Sequence, residues 1–300
     1  MSKNALSWIL LLLLATIWGS SFILMKRGMH ALDGTPLFSD IQVAALRMSI
    51  AGLVLLPFTI YFIRKIRTLK QLACLAIVGF SGNFFPAFLF TYAETGLSSG
   101  YAGMLNSFTP VFTILIGTIV FRQKLTPAQL AGILIAGTGI VLLMFAGNSL
   151  SMSGNLWHIL AIVLATLLYG ISLNTIKYTL SAFRSVEITA LAFGCVLIPA
   201  LAATFASDPF QVIKTVPQAM EGLGFICILS IIGTALAVII FNRLIAVSST
   251  VFASSVTYFI PVVAVLMGLF AHESINLYQI GAMLIILAGV FTANYRGRKA

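Results

Sequence analysis

The chain has little charge and very few acidic residues. Of its 300 residues, 60% are hydrophobic and only 8% are charged, whereas soluble domains carry about 25% charged residues. This shortage excludes a soluble globular protein and predicts a protein embedded in a membrane. Apolar runs long enough to cross a bilayer follow one another with short breaks, so we expect no separate soluble domain.

Other absences narrow the chemistry. The three cysteines, Cys74, Cys195 and Cys227, fall in different apolar runs at unrelated spacings, so they predict neither a disulfide framework nor a metal site. The phosphate-binding sequence Gly-x-x-x-x-Gly-Lys-Ser/Thr is missing, so we do not expect an ATP-driven pump. We expect no cofactor, no metal and no nucleic acid. The expected partners are a small-molecule substrate and the lipid bilayer, with the chain as a monomer or a weak homodimer.

The apolar runs predict an all-α membrane protein with ten transmembrane helices. They cover residues 5–25, 41–63, 71–92, 98–121, 128–146, 156–176, 187–206, 220–241, 250–271 and 277–294. A β-barrel is excluded because the runs lack period-two alternation, and backbone groups in lipid must then be satisfied within helices. The first run resembles a signal peptide after Lys3, but it is long and lacks a small-residue cleavage site, so we interpret it as a span.

The basic residues predict the orientation of these spans. If the N-terminus is cytoplasmic, the cytoplasmic ends hold 13 of the 17 Lys and Arg residues, and only Lys26, Arg27 and Lys214 fall at the other end, with Arg47 inside a span. The positive-inside rule therefore predicts an inner-membrane protein with both termini in the cytoplasm. The net charge of +10 is thus explained by topology and does not indicate nucleic acid.

The sequence repeats itself. A shift of 151 positions aligns Gly19 with Gly170, Ser21 with Ser172 and Lys26 with Lys177, and it pairs Trp18 with Tyr169. The same shift aligns further pairs along the chain: Gly82 with Gly233, Phe90 with Phe241, Pro110 with Pro261. We predict two halves, residues 1–147 and 155–296. Because each half has an odd number of spans, the second must be inverted, as in many secondary transporters.

Several segments carry a family resemblance. ATIWGSSF, ALRMSIAG, GLSSGYAGMLNSFTPVFTILIG and SSTVFASSVTYFIPVVAVLMG resemble the two EamA repeats of the drug/metabolite transporter superfamily, over essentially the whole chain. The resemblance implies ten helices in two inverted five-helix repeats, a central cavity, and export of amino acids or other small metabolites. One position departs from the family pattern, because an acidic residue fits at Glu273 whereas Gln123 replaces it in the first half.

Polar residues near the middle of the spans predict a substrate site. Asn106 and Thr257 each precede a proline by four residues, and proline has no N–H, so both carbonyls lose their helical donors. The freed carbonyls either serve a cavity or are satisfied by a neighbouring Ser or Thr hydroxyl. The predicted helix-break or gating residues are Gly19, Pro110, Gly170 and Pro261.

Amides and aromatic rings complete the predicted site. Asn83 and Asn174 have donors and acceptors that suit a ligand, and the alternative is hydrogen bonding between helices. Aromatic side chains would supply apolar walls with polar tips. The predicted substrate-binding residues are Trp18, Asn83, Tyr92, Tyr101, Asn106, Tyr169, Asn174, Thr257 and Tyr258.

Three cations are candidates for charge recognition. Arg47 lies about two turns inside its span, so we predict a partner for a substrate carboxylate, with snorkelling to the surface as the alternative. Lys26 and Lys177 lie at equivalent span ends, where they either snorkel or act as a gate or an anion funnel. All acidic residues fall at span ends or in loops. We therefore predict no mid-membrane proton relay, and Glu187 is the only candidate for a peripheral proton site.

Two other functions compete with that of a carrier. The sequence GFSG around Ser81 occurs in intramembrane serine proteases, but His30, His158 and His272 fall in loops or at span ends, away from a mid-span serine. A channel needs a continuous polar lining, and the amides here are few and separated. We predict no enzyme, but a transporter that exports small organic metabolites by alternating access, with an uncoupled channel as the main alternative.

Overall fold

The computed structural model describes residues 3–145, 152–248, 256–271 and 276–294. Apart from short loops, these residues are helical. The remaining residues lie outside this description, including Glu273, His272 and the predicted outer boundaries of the two halves at 147 and 296.

Ten long helices make up the described chain, five in each half. The first half contains α1 (Lys3–Met29), α2 (Asp40–Phe62), α3 (Leu69–Glu94), α4 (Ser99–Asn106 and Thr109–Ile119) and α5 (Pro127–Phe145). The second contains α6 (Met152–Thr179), α7 (Ser185–Ser207), α8 (219–247), α9 (Val256–Phe270) and α10 (Leu277–Asn294). A short helix, Pro209–Thr215, which the sequence did not predict, precedes α8.

Length and composition identify membrane spans. Among the described residues, seven helices are long and apolar enough to cross a bilayer, and the other three, α5, α9 and α10, are shorter apolar helices. The prediction of an all-helical membrane protein is confirmed. We call the end of the bundle where α1 begins the Lys3 end, and the end where α1 finishes the Met29 end.

Side chains at the start of α2 and α7 fix where these two equivalent helices begin. The Ser39 hydroxyl accepts the Gln42 N–H at 3.2 Å, and the Gln42 side chain accepts the Ser39 N–H at 2.9 Å. At α7, the Glu187 carboxylate accepts the Arg184 N–H at 2.9 Å and pairs with Lys65 at 2.7 Å. These bonds satisfy backbone donors that a helix start leaves unpaired.

The helices pack in pairs that follow the sequence repeat. Helix α1 contacts α9 and α8, and its counterpart α6 contacts the counterpart helices α4 and α3. Helix α2 packs against its own counterpart α7, and α5 packs against α10. This exchange of partners is what a twofold relation between two halves requires, so the predicted repeat organises the packing.

Candidate functional site

A cavity of about 1370 Å³ lies between the two halves. Its lining includes Lys124 and Lys177, which are exposed at the Lys3 end, and Met25 and Arg47 on the Met29 side. Helices α1 to α4 and α6 to α9 form most of its wall, and the start of α5 and the end of α10 contribute at the mouth. The cavity therefore opens at the Lys3 end and reaches into the bundle from there.

Packed side chains, within the first half and between the halves, close the other end. The buried rings of Phe22 in α1 and Phe90 in α3 meet edge to face at 5.8 Å between centroids. Gly103 of α4 lies against the side chain of Ala264 in α9, so closely that a Cβ at position 103 would not fit. The small residue thus lets the first part of α4 pack directly on α9.

Two aromatic pairs in the cavity wall are related by the repeat. Trp18 contacts Phe241 with ring centroids 5.0 Å apart. Tyr169, the counterpart of Trp18, stacks on Phe90, the counterpart of Phe241, at 6.0 Å. All four residues line the cavity. The pairs place an apolar surface on both sides of the space where a substrate would lie.

The repeated serines explain the polar segment in the first and sixth helices. A Cβ added to Gly233 would lie 2.9 Å from the Ser21 hydroxyl oxygen. A Cβ added to Gly82 would lie 3.0 Å from the Ser172 Cβ. Each serine therefore fills the space that a glycine leaves in a neighbouring helix. All four residues line the cavity.

The glycines of these contacts belong to two π-helical turns, Phe80–Phe84 in α3 and Ile231–Leu236 in α8. The turns begin 151 residues apart, at equivalent positions of the repeat. A π turn is wider than an α turn and leaves backbone groups available, and such turns are frequent at functional sites. These two turns carry Asn83 and Thr234 into the cavity wall.

Gly19 and Gly170 mark helix crossings. A Cβ on Gly19 would lie 2.6 Å from Val263 Cγ1, and one on Gly170 would lie 3.0 Å from the Phe112 carbonyl oxygen. Val263 and Phe112 are themselves equivalent in the repeat. Neither glycine lines the cavity or interrupts a helix. The predicted helix break is therefore wrong at both glycines, which are close-packing positions, whereas a gating role for them stays a prediction.

The two prolines differ in their effect. Helix α4 is interrupted between Asn106 and Thr109, directly before Pro110. The freed Asn106 carbonyl accepts the Thr109 hydroxyl at 3.0 Å, so compensation by a neighbouring threonine applies here. Pro261 lies inside α9, which continues through it. The predicted break at Pro261 is therefore corrected.

Two amides face the cavity with hydrogen-bonding capacity left over. Asn83 lines the cavity, and its side-chain amide makes no hydrogen bond within the described part of the chain. Asn106 also lines it, and its side-chain oxygen accepts a long hydrogen bond of 3.4 Å from the Thr109 hydroxyl, its one side-chain bond among the described residues. Thr257 lies in the lining as well. These residues have the placement that a substrate contact requires.

Asn174 is held more firmly. Its side-chain nitrogen donates to the carbonyls of Thr113, at 2.9 Å, and Gly170, at 2.8 Å. Its oxygen accepts from Gln123 at 3.2 Å. The residue touches the cavity, but these bonds occupy its amide and tie α6 to α4 and to the loop that follows it. This is the interhelical hydrogen bonding that the sequence left as the alternative.

Arg47 lines the deep part of the cavity. Its Nε donates to the Thr234 hydroxyl at 2.8 Å, and its Nη1 lies 3.6 Å from the Met25 sulfur. It interacts electrostatically with Glu94 and Tyr169. The side chain therefore points into the protein, which rules out the snorkelling alternative.

The other two predicted cations lie in different places. Lys177 lines the cavity mouth and lies 4.9 Å above the Tyr178 ring. Lys26 is half-buried and does not line the cavity. Since Lys26 is at the Met29 end, only one member of the pair reaches the open mouth.

Three predicted tyrosines lie outside the cavity lining. Tyr101 is buried and donates to the Leu143 carbonyl at 2.7 Å, and Tyr258 donates to the Val290 carbonyl at 2.8 Å. Both therefore join a helix to the following helix of the same half. Tyr92 is 40% exposed and stacks on His158 at 4.8 Å. Their placement in the substrate site is corrected, because their hydroxyls or rings have structural partners.

Sequence reasoning missed a buried acid. Glu94 ends α3 and is only 3% exposed, and it interacts electrostatically with Arg47. An arginine inside a span requires a counter-charge. Glu94 lies at the same end of the next span, so the sequence positions of these two residues could have predicted their interaction. Glu187 is equally buried, but its salt bridge with Lys65 occupies it.

The contacts of Ser81 give a protease no support. Its hydroxyl donates to the Ile77 carbonyl at 2.6 Å and does not line the cavity. His158 is held near Tyr92 and Thr95, and His30 is exposed in the α1–α2 loop. Within the described residues, no histidine is placed to act as a base for Ser81.

Comparison with known proteins agrees with this architecture. The EamA-like transporter family matches residues 6–145 and 156–295. A relative from Archaeoglobus fulgidus, described as an uncharacterized transporter, is 27% identical and covers 95% of this chain and 97% of its own. A probable amino-acid metabolite efflux pump of Salmonella typhimurium is 26% identical, covering 94% and 92% respectively.

A solved crystal structure has the same fold. It aligns with a TM-score of 0.63 over 97% of both chains at 16% identity. Its likeness therefore concerns the fold alone, whereas the family match covers both halves of the sequence. Together with the apolar helices and the repeat, this match establishes that the chain is a multi-pass membrane protein of the EamA-like transporter family.

Proposed function

We propose that the protein exports small organic metabolites, such as amino acids, by alternating access through the central cavity. The observation that carries the proposal is a cavity of about 1370 Å³ that lies between two repeat-related halves, opens at the Lys3 end and is closed at the Met29 end. A compartment open to one side is one of the two states that a carrier alternates between.

The wall of the cavity supports a binding site for an organic molecule. The pairs Trp18–Phe241 and Tyr169–Phe90 offer apolar surface, and Asn83 and Asn106 offer polar contacts. Ligand pockets commonly combine such apolar walls with a few polar groups that fix orientation. The Salmonella relative's description as a probable amino-acid metabolite efflux pump supports a small organic substrate.

We propose an inner-membrane location with both termini in the cytoplasm. The basic residues concentrate at the Lys3 end, and the positive-inside rule assigns that end to the cytoplasm. The open cavity would then face the cytoplasm, where an exporter collects its substrate. In a variant whose three native cysteines are replaced, a single cysteine is introduced at Leu32 or at Leu69, two exposed residues at opposite ends. Its reactivity toward a membrane-impermeant thiol reagent distinguishes the two orientations.

A channel is less well supported. The cavity ends at the Met29 side against the packed Phe22 and Phe90 rings, and a channel needs a path that opens through the whole membrane at once. A carrier instead binds one molecule at a time, so a site that has released a molecule on one side can return with another. The two mechanisms therefore differ in counterflow.

Counterflow in liposomes tests the proposal with a mixture of candidate substrates. Liposomes containing the purified chain are loaded with a deproteinised metabolite extract and placed in a dilute isotope-labelled copy of the same extract. A carrier accumulates labelled molecules inside against their total gradient, and mass spectrometry identifies them. Equal leakage of both copies without accumulation would indicate a channel, and no protein-dependent movement of any metabolite would overturn the proposed function.

A further inference from the structure

The charges on the cavity wall are all of one sign. Among the described residues that line the cavity, Arg47, Lys124 and Lys177 are cationic, and none is an aspartate or glutamate. The two acids near the wall are engaged, since Glu187 pairs with Lys65 at 2.7 Å and Glu94 interacts with Arg47 from outside the lining. The formal charges on the lining itself are therefore all positive, although Glu94 offsets part of the charge at the deep end.

The three cations occupy two levels of the cavity. Lys124 and Lys177 lie at the mouth, and both side chains are exposed there. Arg47 lies at the deep end and interacts with Tyr169, whose ring stacks on Phe90. Positive charges that line a narrow path attract anions toward it and raise their local concentration. An anion that enters at the mouth thus finds a second positive group beside the aromatic walls.

The geometry of Arg47 leaves donors available. Its Nε donates to Thr234 at 2.8 Å, and among the described residues its one other hydrogen-bond contact is from Nη1 to the Met25 sulfur, at 3.6 Å. The guanidinium has five N–H donors in a planar fork that matches the oxygen pairs of carboxylate and phosphate groups. The bond to Thr234, in the π turn of α8, fixes the orientation of this fork.

Arg47 is also independent of the repeat. Between α2 and α7 the repeat follows a shift of 142 positions, which aligns Pro57 with Pro199 and pairs Arg47 with Thr189. Thr189 receives a hydrogen bond from Asn242 at 2.8 Å. The duplicated architecture therefore does not require a cation at this depth. A buried charge that the fold does not need is costly in a membrane protein, and such residues are commonly retained for function.

We propose that the cavity is selective for organic anions, meaning molecules with an apolar or aromatic body and a carboxylate or phosphate group that Arg47 binds. The inference rests on the proposed transport function and narrows its substrates from small metabolites in general to those with a net negative charge. Lys124 and Lys177 accelerate access to the mouth, and the aromatic pairs hold the apolar body.

Binding of matched ligands tests the charge preference directly. The chain has three tryptophans, of which Trp8 and Trp157 are exposed on the outer surface and Trp18 lines the cavity. In a W8F/W157F variant, quenching of the remaining indole reports on the cavity. The probes are p-nitrobenzoate, p-nitrophenyl phosphate, p-nitrobenzyl alcohol and p-nitrobenzylamine, which share one quenching ring and differ in charge.

We expect at least one of the two anions to bind more tightly than the alcohol and the amine, and the two anionic probes distinguish a carboxylate from a phosphate preference. Arg47→Gln should weaken the binding of that anion about 10- to 100-fold, the usual effect of losing a hydrogen bond to a charged group, and leave the alcohol unchanged. Arg47→Lys should fall between them. The matched control is Arg64→Gln, since Arg64 is exposed outside the cavity.

Two results would overturn the inference. One is that the alcohol or the amine binds as tightly as both anions, or more tightly, in the protein that retains Arg47. This result does not depend on whether an Arg47 variant folds. The other is an equal loss of all four probes in Arg47→Gln while its thermal unfolding matches that of Arg64→Gln.

The counterflow experiment separates this inference from the proposed function. If labelled cations or net-neutral amino acids accumulate, the protein is a carrier but its anion selectivity is wrong. If only anions accumulate, both proposals hold. If nothing accumulates, the transport proposal fails, and the probe titrations still decide whether the cavity prefers anions.

Discussion

The indole N–H of Trp18 donates to the backbone carbonyl of Gly233 at 3.2 Å. This carbonyl belongs to the π turn of α8, whose wider register leaves such groups open to partners outside the helix. The bond joins α1 to α8 at the cavity wall. The Trp-Gly-Ser-Ser segment of α1 thus stabilises the π turn of the neighbouring helix α8.

We expect Trp18→Phe to lower the stability of the protein by about 0.5–1.5 kcal/mol, because the ring contact with Phe241 remains but the hydrogen bond is lost. Thermal unfolding in detergent measures the change. Trp157→Phe is the matched control, since Trp157 is 65% exposed and the same substitution there removes no interhelical bond. Equal unfolding temperatures for the two variants would contradict the role of the indole N–H.

The close contact between Ser21 and Gly233 gives a second prediction. Gly233→Ala should cost about 1–3 kcal/mol because the added Cβ overpacks the contact, where it would lie 2.9 Å from the Ser21 hydroxyl. The double variant with Ser21→Ala removes that oxygen and should recover most of the loss. Gly137→Ala is the control, since nothing lies within 4 Å of a Cβ added there. Failure of the double variant to recover would place the strain elsewhere.

The sequence predicted the general fold well, for physical reasons that apply to any membrane protein. Lipid cannot satisfy backbone groups, so an apolar run of sufficient length has to be helical. The repeat added information about packing, because residues equivalent by a shift of 151 make equivalent contacts. The contacts of Gly19 with Val263 and of Gly170 with Phe112 illustrate this relation.

The individual site residues were harder to predict. A membrane helix is apolar on every side, so its sequence does not show which side faces a cavity and which faces lipid or another helix. Tyr101 and Tyr258 therefore resembled Trp18 in sequence, although their hydroxyls bond to the carbonyls of Leu143 and Val290. The π turns left no signal either, because their residues are ordinary helix residues.

We expect Asn174 and Asn83 to differ in whether their loss affects stability or transport. Asn174→Ala removes bonds to Thr113, Gly170 and Gln123, so we expect a loss of about 1–2 kcal/mol in stability, as for other interhelical polar contacts. Asn83→Ala should leave thermal unfolding unchanged and reduce the counterflow rate at least about tenfold, since its amide is unbonded among the described residues. If Asn83→Ala lowered stability and Asn174→Ala lowered only the counterflow rate, the two roles would be reversed.

The interruption of α4 yields the last prediction. Pro110→Ala supplies an N–H that is able to bond to the Asn106 carbonyl, which now accepts the Thr109 hydroxyl at 3.0 Å, so α4 is expected to become continuous. We expect the counterflow rate to fall while stability is unchanged or rises, because the break places Asn106 and Thr109 in the cavity wall. Pro261→Ala is the matched control, since α9 is already continuous through Pro261, and it should affect counterflow less. Equal losses in both variants would mean that the break in α4 has no special part in transport, and that the two prolines act alike as sites of bending.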